Sequence, residues 1–222
     1  MNTLNHIAFI MDGNGRWGRK KNKGRNFGHL KGVETVKKIV KSSIKLKIPI
    51  LSFYVFSSEN WRRPRKEINY LFKLIEKYFL EEIDNIKSEG IKIKIIGELK
   101  KLPPNLKKIL NETMLITKKN KRIIVNLAIN YGSKNEIIKT SNSFKKKTSI
   151  KKFEKRLYTS NLPHPDILIR TGGQKRLSNF MLWQLAYSEL FFLKKLWPDF
   201  NSADLKRIII NFKKRKRNFG GI

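Results

Sequence analysis

Asp12 is a lone carboxylate between an apolar run, "IAFIM" (7–11), and a stretch rich in glycine, arginine and lysine. Glycines allow backbone N–H groups to approach phosphate oxygens, and the arginines that follow supply positive charge. An acid within such a phosphate cradle would be repelled by the ligand unless a cation lay between them, which favours a role as an Mg²⁺ ligand. A turn capped by the aspartate side chain explains this stretch equally well.

Two other segments have a similar composition and favour the phosphate-binding interpretation. "FSSENWRRPRKE" (56–67) combines small hydroxyls, acids, an amide and arginines, and helix capping through Pro64 and Glu67 explains only part of it. "DILIRTGGQKRLSNF" (166–180) contains arginines, a pair of glycines and a serine. Segments of this kind at one edge of a sheet predict a ligand with several phosphates.

A dinucleotide site is the main alternative for the first segment, because Gly13, Gly15 and Gly18 fit the pattern G-x-G-x-x-G. That fingerprint requires a helix that opens at the second glycine and an acidic residue about 20 positions later. No helical apolar period follows the glycines, so we expect a loop over 12–28. The acid at the right distance, Glu34, falls inside a helical pattern, and the sequence therefore argues against a nicotinamide nucleotide.

The elements that must position these residues are predicted from hydrophobic periodicity. Near-continuous apolar runs indicate strands buried on both faces, and they occur at 7–11, 50–56, 91–97, 123–129, 166–171 and 190–193. Apolar residues at three- and four-residue steps indicate helices, at about 30–47, 67–86, 105–119, 133–145, 150–159 and 202–213. This alternation predicts a single α/β domain over 1–222 with a doubly wound, mostly parallel sheet flanked by helices.

The place where a ligand would bind follows from this fold class. Ligands of doubly wound sheets bind beyond the carboxyl ends of the strands. That rule selects the loops at 12–28, 57–66, 130–133 and 171–179. The candidate phosphate-binding segments coincide with these loops, so we expect them to form one site.

The net charge of the chain is +33, from 50 lysines and arginines against 17 acidic residues. Such a surplus is typical of proteins that bind nucleic acid, anionic membranes or phosphorylated substrates. Lysine, asparagine and isoleucine share A/T-rich codons, however, so coding bias explains much of the surplus, and the positions of the arginines are the better guide. The histidines, His6, His29 and His164, lack the spacing of metal ligands.

The chain has no cysteine, which fits a reducing compartment. No apolar run approaches the roughly 20 residues of a membrane span, and the N-terminus lacks the core of a signal peptide. We therefore expect a cytoplasmic protein that is at most peripheral to the inner face of the membrane.

The motifs together resemble the cis-prenyltransferases, and in particular the bacterial undecaprenyl diphosphate synthases. The matching segments run in family order from residue 6 to residue 221, and they are "HIAFIMDGNGRWG", "RNFGHLKG", "FSSENWRRPRKE", "NYG", "DILIRTGGQKRLSNFMLWQLAYSEL", "WPDF" and "RNFGG". The resemblance implies a single α/β domain with an apolar product tunnel, a homodimer and dependence on Mg²⁺. It also implies addition of isopentenyl diphosphate to an allylic diphosphate, usually farnesyl diphosphate, to give a long-chain polyprenyl diphosphate such as the cell-wall lipid carrier precursor undecaprenyl diphosphate.

The resemblance also assigns roles to individual residues. Asp12 matches the catalytic, metal-linked aspartate, Asn60 the proposed proton acceptor and Glu189 a metal-associated acid. The pocket for the allylic diphosphate matches Gly13, Asn14, Gly15, Arg16, Arg25 and His29. Other substrate contacts match Trp17, Ser57, Ser58, Glu59, Trp61, Arg63 and Leu177, and the clamp for isopentenyl diphosphate matches Arg170, Arg176 and Ser178. Leu71 and Ile75 are candidates for the tunnel wall, and a tail with Arg217, Gly220 and Gly221 is expected to reach the site of a neighbouring subunit.

The sequence departs from the family pattern at a few positions. Ser133 and Lys134 replace a glycine and an arginine after "NYG", Gln174 replaces a common acid, and Lys175 replaces a histidine that faces the metal in some members. Two other functions compete with the enzyme: a nucleic-acid-binding protein, argued from charge alone, and a non-catalytic subunit of a two-chain prenyltransferase. The arginines concentrate in the site loops and no nucleic-acid-binding module is present, so no nucleic-acid partner is expected.

Overall fold

The computed structural model describes residues 2–216, and the predicted tail residues Arg217, Gly220 and Gly221 lie outside this range. The strands are β1 (His6–Ile10), β2 (Ile50–Ser57), β3 (Ile91–Ile96), β4 (Ile123–Tyr131), β5 (Ile167–Arg170) and β6 (Glu189–Phe192). The helices are α1 (Asn14–Lys20), α2 (Gly24–Lys45), α3 (Arg65–Ser88), α4 (Pro104–Ile116), α5 (Ser133–Asn142), α6 (Ile150–Glu154) and α7 (Ser202–Lys214). Short 3₁₀ turns occupy Ser58–Arg62, Leu99–Lys101 and Trp197–Asp199.

The strands form one sheet in the order β3-β4-β2-β1-β5-β6, and every neighbouring pair is parallel. The predicted α/β class and the six-stranded parallel sheet are therefore confirmed. β1 lies inside the sheet, between β2 and β5, and its five residues are all buried. This burial explains why the sequence of this strand is a nearly continuous apolar run and not an alternation of apolar and polar residues.

The two faces of the sheet carry cores of different size. The larger core packs α2, α3, α4 and α7 against one face and includes Phe9, Phe53 and Trp197. Phe9 and Phe53 stack with ring centroids 5.0 Å apart, and the Trp197 ring meets Phe9 edge-on at 5.8 Å. The smaller core on the other face includes Phe180, which stacks on Tyr54 at 4.4 Å. The inner strands β1 and β4 and the neighbouring β5 are therefore almost wholly buried, whereas the edge strands β3 and β6 are partly exposed.

The expected loop over 12–28 is wrong, because α1 begins at Asn14 and α2 at Gly24. The two helices pack backbone against backbone: a Cβ atom on Gly28 would lie 1.9 Å from the carbonyl oxygen of Asn14, and one on Gly18 would lie 2.0 Å from that of Gly24. Close backbone packing at glycines, together with a stack of Trp17 on Phe27, joins the two helices. The buried residue of α1 is a glycine, Gly18, so apolar periodicity could not reveal this helix. The lack of a helix was therefore not a valid argument against a dinucleotide, although Glu34 does lie within α2 as expected.

The helix predicted over 150–159 is also wrong in its extent, because α6 ends at Glu154. The chain then continues in single turns, in which Leu157 N–H donates to the Glu154 carbonyl and Ser160 N–H to that of Leu157. The N–H of Tyr158 donates instead to the buried carboxylate of Glu136, at 2.7 Å. This long-range hydrogen bond replaces the helical one and ends the helix.

A chain of hydrogen bonds joins the three neighbouring strands β1, β2 and β4 in the interior of the sheet. The ring of His6 contacts the Pro163 carbonyl through Nδ1 at 2.7 Å, and a carbonyl can only accept, so Nδ1 carries the proton. Nε2 therefore accepts from the Ser52 hydroxyl at 2.7 Å, and the Ser52 oxygen accepts from the Asn126 amide at 2.8 Å. Burial lowers the pKa of His6 from 6.5 to about 4, so the ring is neutral at neutral pH.

We predict from this arrangement that acid destabilises the protein through His6. The unfolded chain binds a proton at this histidine near pH 6.5, whereas the folded chain does so only near pH 4, so stability present at neutral pH is lost as the pH falls through this window. The expected loss between pH 7 and pH 5 is about 2 kcal/mol from this residue. Denaturant unfolding at both pH values measures it.

The matched variants are His6→Asn, which keeps a donor for Pro163 but does not titrate, and His164→Asn at an exposed histidine. The unfolding free energy of His6→Asn should depend less on pH than that of the wild type, and His164→Asn should behave like the wild type. Equal pH dependence in the wild type and His6→Asn would show that His6 does not titrate as argued.

Candidate active site

The site lies where the chain leaves two neighbouring strands in opposite directions. β1 and β5 are adjacent, with Ile10 level with Arg170, but β1 leads to β2 on one side and β5 leads to β6 on the other. Such a switch point opens a crevice beyond the carboxyl ends of the strands. Asp12 and Arg170 lie at this point, which confirms the expectation that the first and third segments meet.

Asp12 is held by two arginines and by the backbone. Its carboxylate accepts from Arg170 Nη2 at 3.0 Å and from Arg16 Nη2 at 3.2 Å. Its carbonyl oxygen accepts from the Thr171 hydroxyl at 2.8 Å and from Trp197 N–H at 3.1 Å. These bonds do not involve a turn cap, so the alternative explanation of Asp12 as a turn residue is not supported.

Arg170 is buried although it carries a charge, with 5% of its side chain exposed. Its Nη1 group donates to the carbonyl of Arg176 and to Ser178 Oγ, the latter at 2.7 Å. Among the residues described, its buried Nε–H has no hydrogen-bond partner. The guanidinium therefore joins Asp12 to the segment 171–178 and retains a donor, which is the arrangement expected of an anion-binding group.

A second cluster of charges lies beside the first, around Glu67 at the start of α3. Arg25 donates to this carboxylate through Nε at 3.1 Å and Nη2 at 2.9 Å, and Arg63 donates through Nη1 at 3.3 Å. Burial alone would raise the pKa of Glu67, but the hydrogen bonds and charges of the arginines hold it below its usual range. Sequence reasoning treated Glu67 only as a capping residue and missed this contact; its place in the segment with Arg63 was the available signal.

His29 lies against the same cluster, with Nε2 at 3.6 Å from Glu67 Oε1. Burial, and after it the charge of Arg63, lowers the pKa of His29 to about 4. The ring is therefore neutral at neutral pH and offers a hydrogen bond rather than a charge. Its Nε2 is buried without a hydrogen-bond partner among the described residues.

The 3₁₀ turn Ser58–Arg62 presents Asn60 to the site. Asn60 Oδ1 accepts from the N–H of Ser57 at 3.2 Å, within a reciprocal cap of this turn. The side-chain oxygen is thus engaged, and the NH₂ group retains hydrogen bonds to donate. Glu59 accepts from Asn179 at 2.7 Å, which ties this turn to the segment after β5.

Eight of the nineteen predicted site residues line one polar cavity of about 220 Å³. The predicted residues that line it are Asp12, Asn14, His29, Ser57, Asn60, Arg63, Arg170 and Ser178. Arg16 and Arg25 adjoin it through their carboxylate partners Asp12 and Glu67. The structure therefore brings these ten predicted residues together at one place, and their roles in binding stay a prediction.

Other predicted residues lie elsewhere. Ser58 and Trp61 line a separate cavity, where Trp61 Nε1 donates to Asn130 at 2.8 Å. Trp17 donates to Asp199 at 2.7 Å and stacks on Phe27. Gly13 precedes α1, Gly15 lies against Arg25, and Glu59 and Arg176 are exposed. Leu177 packs at the edge of the smaller core.

An apolar cavity adjoins the polar one and shares part of its wall. Met11, Asn14, His29, Val55 and Leu71 line both. The apolar cavity has a volume of about 120 Å³ and extends between the sheet and α3. Its remaining wall includes Phe53, Leu74, Ile75, Tyr78, Phe79 and Ile129. The structure thus places Leu71 and Ile75 on the wall of an apolar space next to the charged groups.

The donor set around Asp12 fits an Mg²⁺ ion that a phosphorylated ligand would share. Within residues 2–216 no group of three or more acidic, histidine or cysteine side chains could enclose a metal by itself. Mg²⁺ is commonly held by one or two carboxylates together with substrate phosphates and water. Asp12 is the carboxylate available for this purpose at the switch point.

Glu189 does not reach this position within one chain. It is the first residue of β6, level with Ile167, three residues or about 10 Å before the level of Arg170. Its carboxylate pairs with Arg215. The predicted metal role of Glu189 therefore needs a neighbouring subunit and stays a prediction.

Three of the four departures from the family pattern make local contacts in the structure. Gln174 accepts from Arg176 Nη1 at 2.5 Å, so a neutral amide holds the arginine here. Ser133 begins α5, and its hydroxyl accepts from Leu182 N–H at 2.9 Å. Lys134 uses its backbone N–H, which donates to Asn179 Oδ1 at 2.8 Å. These contacts connect α5 to the segment after β5 without occupying the polar cavity.

Within residues 2–216 no helix combines the length and apolarity needed to cross a membrane.

Comparison with known proteins points to one family. The family model described as "Putative undecaprenyl diphosphate synthase" matches residues 10–220. An isoprenyl transferase of Prochlorococcus marinus subsp. pastoris is 44% identical over 98% of this chain and 84% of its own length. An isoprenyl transferase of Rickettsia typhi is 42% identical over 99% of both chains.

Solved structures agree with the sequence comparison. A lavandulyl diphosphate synthase from Lavandula x intermedia, solved in complex with dimethylallyl diphosphate, superposes with a TM-score of 0.93 at 30% identity, over 97% of this chain and 98% of that one. A probable undecaprenyl diphosphate synthase from Campylobacter jejuni gives a TM-score of 0.86 at 32% identity, over 99% of this chain and all of the other. None of these proteins supports a nucleic-acid-binding function.

We predict that Gly172→Ala weakens the binding of inorganic diphosphate about tenfold, because a charge-assisted contact is lost. The new Cβ would lie 2.5 Å from Arg16 Nη2 and 3.0 Å from the carboxyl carbon of Asp12. Gly173→Ala is the matched control, since its φ of +80° is close to the +86° of Gly172 but its nearest neighbour would be 4.0 Å away.

Both variants should lose about 1 kcal/mol or more of stability from the left-handed backbone. Only Gly172→Ala should lose diphosphate affinity, as measured by titration calorimetry. If the two variants bound diphosphate with equal affinity, the assignment of Arg16 and Asp12 to the anion site would be wrong.

Proposed function

The chain belongs to the undecaprenyl diphosphate synthase family of prenyltransferases, and on that premise we propose that it adds isopentenyl diphosphate units to an allylic diphosphate such as farnesyl diphosphate. The observation that carries this proposal is the junction of the two cavities, one charged and one apolar, with a shared wall. A diphosphate with a hydrocarbon chain has the same two parts. The product would be a long-chain polyprenyl diphosphate, and by family resemblance undecaprenyl diphosphate.

The allylic diphosphate is assigned to the start of α1. Arg25 and His29 lie on this side, and Asn14 and His29 line both cavities, so a diphosphate here would direct its chain into the apolar one. The complex of lavandulyl diphosphate synthase with dimethylallyl diphosphate supports an allylic ligand for this fold. Isopentenyl diphosphate is assigned to Arg170, Arg176 and Ser178, on the opposite side of Asp12.

In the proposed reaction the bond between the allylic carbon and its diphosphate breaks, and pyrophosphate leaves with the electron pair. The double bond of isopentenyl diphosphate supplies the electrons of the new carbon–carbon bond, and one proton is lost. Arginines on both sides offset the repulsion between the two diphosphates and hold the reacting carbons together. Mg²⁺, held by Asp12 and phosphate oxygens, would assist the departure of pyrophosphate.

Asn60 orients the substrates in this proposal rather than accepting the proton. A neutral amide is a poor base, and its oxygen is already hydrogen-bonded to Ser57 N–H. Its NH₂ group can donate to a phosphate oxygen in the same cavity. The proton is then taken by the released pyrophosphate, whose oxygens are the stronger bases.

Assembly as a homodimer is also proposed, with β6 at or near the interface. β6 is an edge strand of the sheet; Tyr187, just before it, and Leu190, within it, are 69% and 39% exposed. Edge strands and exposed apolar side chains are commonly covered by a partner. Such a dimer would bring Glu189 of one subunit closer to its neighbour, as its proposed metal role requires.

Peripheral contact with anionic lipid is proposed from the net charge of +33.

The first test combines purified protein, Mg²⁺, farnesyl diphosphate and labelled isopentenyl diphosphate. The wild type should form labelled long-chain product, and Asp12→Asn should lower turnover about 100-fold or more while it still binds diphosphate. Asp84→Asn, an exposed aspartate of α3, is the control and should be fully active. Absence of product in the wild type would refute the proposed function, and near-normal turnover in Asp12→Asn would refute the metal role.

The second test concerns the apolar cavity as the space for the growing chain. Ile75→Trp should fill part of it and shift the main product to fewer isoprene units, as measured by chromatography of the labelled products. Leu80→Trp adds the same side chain to the same helix at a position that is 65% exposed, and product length should not change. Unchanged product lengths in Ile75→Trp would show that the chain grows elsewhere.

A further inference from the structure

Glu67 lies at the start of α3, where an acid often stabilises the helix N-terminus. Capping does not account for its contacts, since the hydrogen bonds of its carboxylate are with the side chains of Arg25 and Arg63. Its carboxylate instead crosses to α2, where it meets Arg25, 42 residues away in the chain. Only 11% of the Glu67 side chain is exposed. An ionised acid whose partners His29 and Arg63 line the polar cavity calls for an explanation, because it would repel a diphosphate.

The geometry of the contact leaves the arginines able to bind a ligand. Arg25 uses its Nε and Nη2 groups on Glu67, which is one edge of the guanidinium. The other nitrogen, Nη1, lies next to Gly15, at 3.2 Å from where a Cβ atom would be. A guanidinium carries five N–H donors, so three remain on Arg25. These donors lie beside the Gly13–Arg16 segment assigned to the allylic diphosphate.

Arg63 is held by the same carboxylate and shares its Oε1 atom with Arg25. It donates one N–H to Glu67 at 3.3 Å and also lines the polar cavity. Each long arginine side chain that is ordered only on binding costs about 0.5–1.5 kcal/mol of affinity. Glu67 orders both arginines before the ligand arrives, and the lowered pKa of its carboxyl keeps it ionised for this purpose.

We infer that Glu67 is a positioning residue for the allylic diphosphate: it fixes Arg25 and Arg63 so that their remaining N–H groups face the ligand. The inference rests on the proposed function only for the identity of the ligand. In the competing role, Glu67 occupies the arginines and the diphosphate must displace it. The two roles predict opposite effects of removing the charge.

The test is Glu67→Gln, which keeps the shape and one oxygen acceptor but removes the charge. KM for the allylic diphosphate should rise about tenfold, while KM for isopentenyl diphosphate and kcat at saturation of both substrates should change less than about twofold. Glu81→Gln is the control, because Glu81 is an exposed acid on the same helix whose ion pair is with Lys77. It should leave both Michaelis constants unchanged.

A second measurement does not depend on turnover. Titration calorimetry with inorganic diphosphate should show about tenfold weaker binding to Glu67→Gln than to the wild type. Arg25→Ala should weaken binding in the wild type but add little in the Glu67→Gln background, because the two residues act as a unit. Unfolding experiments on each variant establish that the fold is retained.

The outcomes are separable. Equal or tighter diphosphate binding by Glu67→Gln would overturn the positioning role and favour competition. Equal increases in both Michaelis constants would also overturn it, since that pattern indicates a general disturbance of α3. If the wild type binds diphosphate but forms no prenyl product, the proposed function fails, and calorimetry still decides the role of Glu67.

Discussion

Burial of the Arg170 charge at the end of β5 is the constraint on which the site depends. A buried guanidinium is costly unless it is paired and hydrogen-bonded, and here Asp12, Ser178 and the carbonyl of Arg176 provide the partners. These partners come from the segments after β1 and after β5, which leave the sheet in opposite directions. The pairing therefore fixes both segments at the switch point and keeps the crevice between them in one shape.

Paired carboxylates also offset the repulsion between the arginines of the site. A diphosphate site needs several cations close together, and these repel one another in the absence of ligand. Asp12 holds Arg16 and Arg170, and Glu67 holds Arg25 and Arg63. Each carboxylate thus gathers arginines from different elements into a fixed cluster. In a chain with a net charge of +33, the few acids near the site matter more than the many surface lysines.

The charged site is useful to a prenyltransferase because it opens into an apolar space. Helix α3 contributes to both parts: its first turn carries Glu67, and its next turns carry Leu71 and Ile75 on the wall of the apolar cavity. The close packing of α1 on α2 through glycines brings Asn14 and His29 to the boundary between the two cavities. A substrate with a charged head and a hydrocarbon chain would therefore be oriented by the fold itself.

The sequence by itself determined the parallel sheet, its buried strands and the loops that carry the site. Apolar runs are local signals, and the rule that ligands bind at the carboxyl ends of strands then places Asp12, Asn60 and Arg170 together. Only the tertiary structure decided that α1 is a helix, that α6 stops at Glu154 and that Glu67 faces Arg25. These features depend on contacts between residues distant in the chain: Arg25 and Glu67 are 42 residues apart, and Tyr158 is 22 from Glu136. Such contacts leave no periodic pattern in the sequence, because they form between individual residues only after the fold has brought separate segments together.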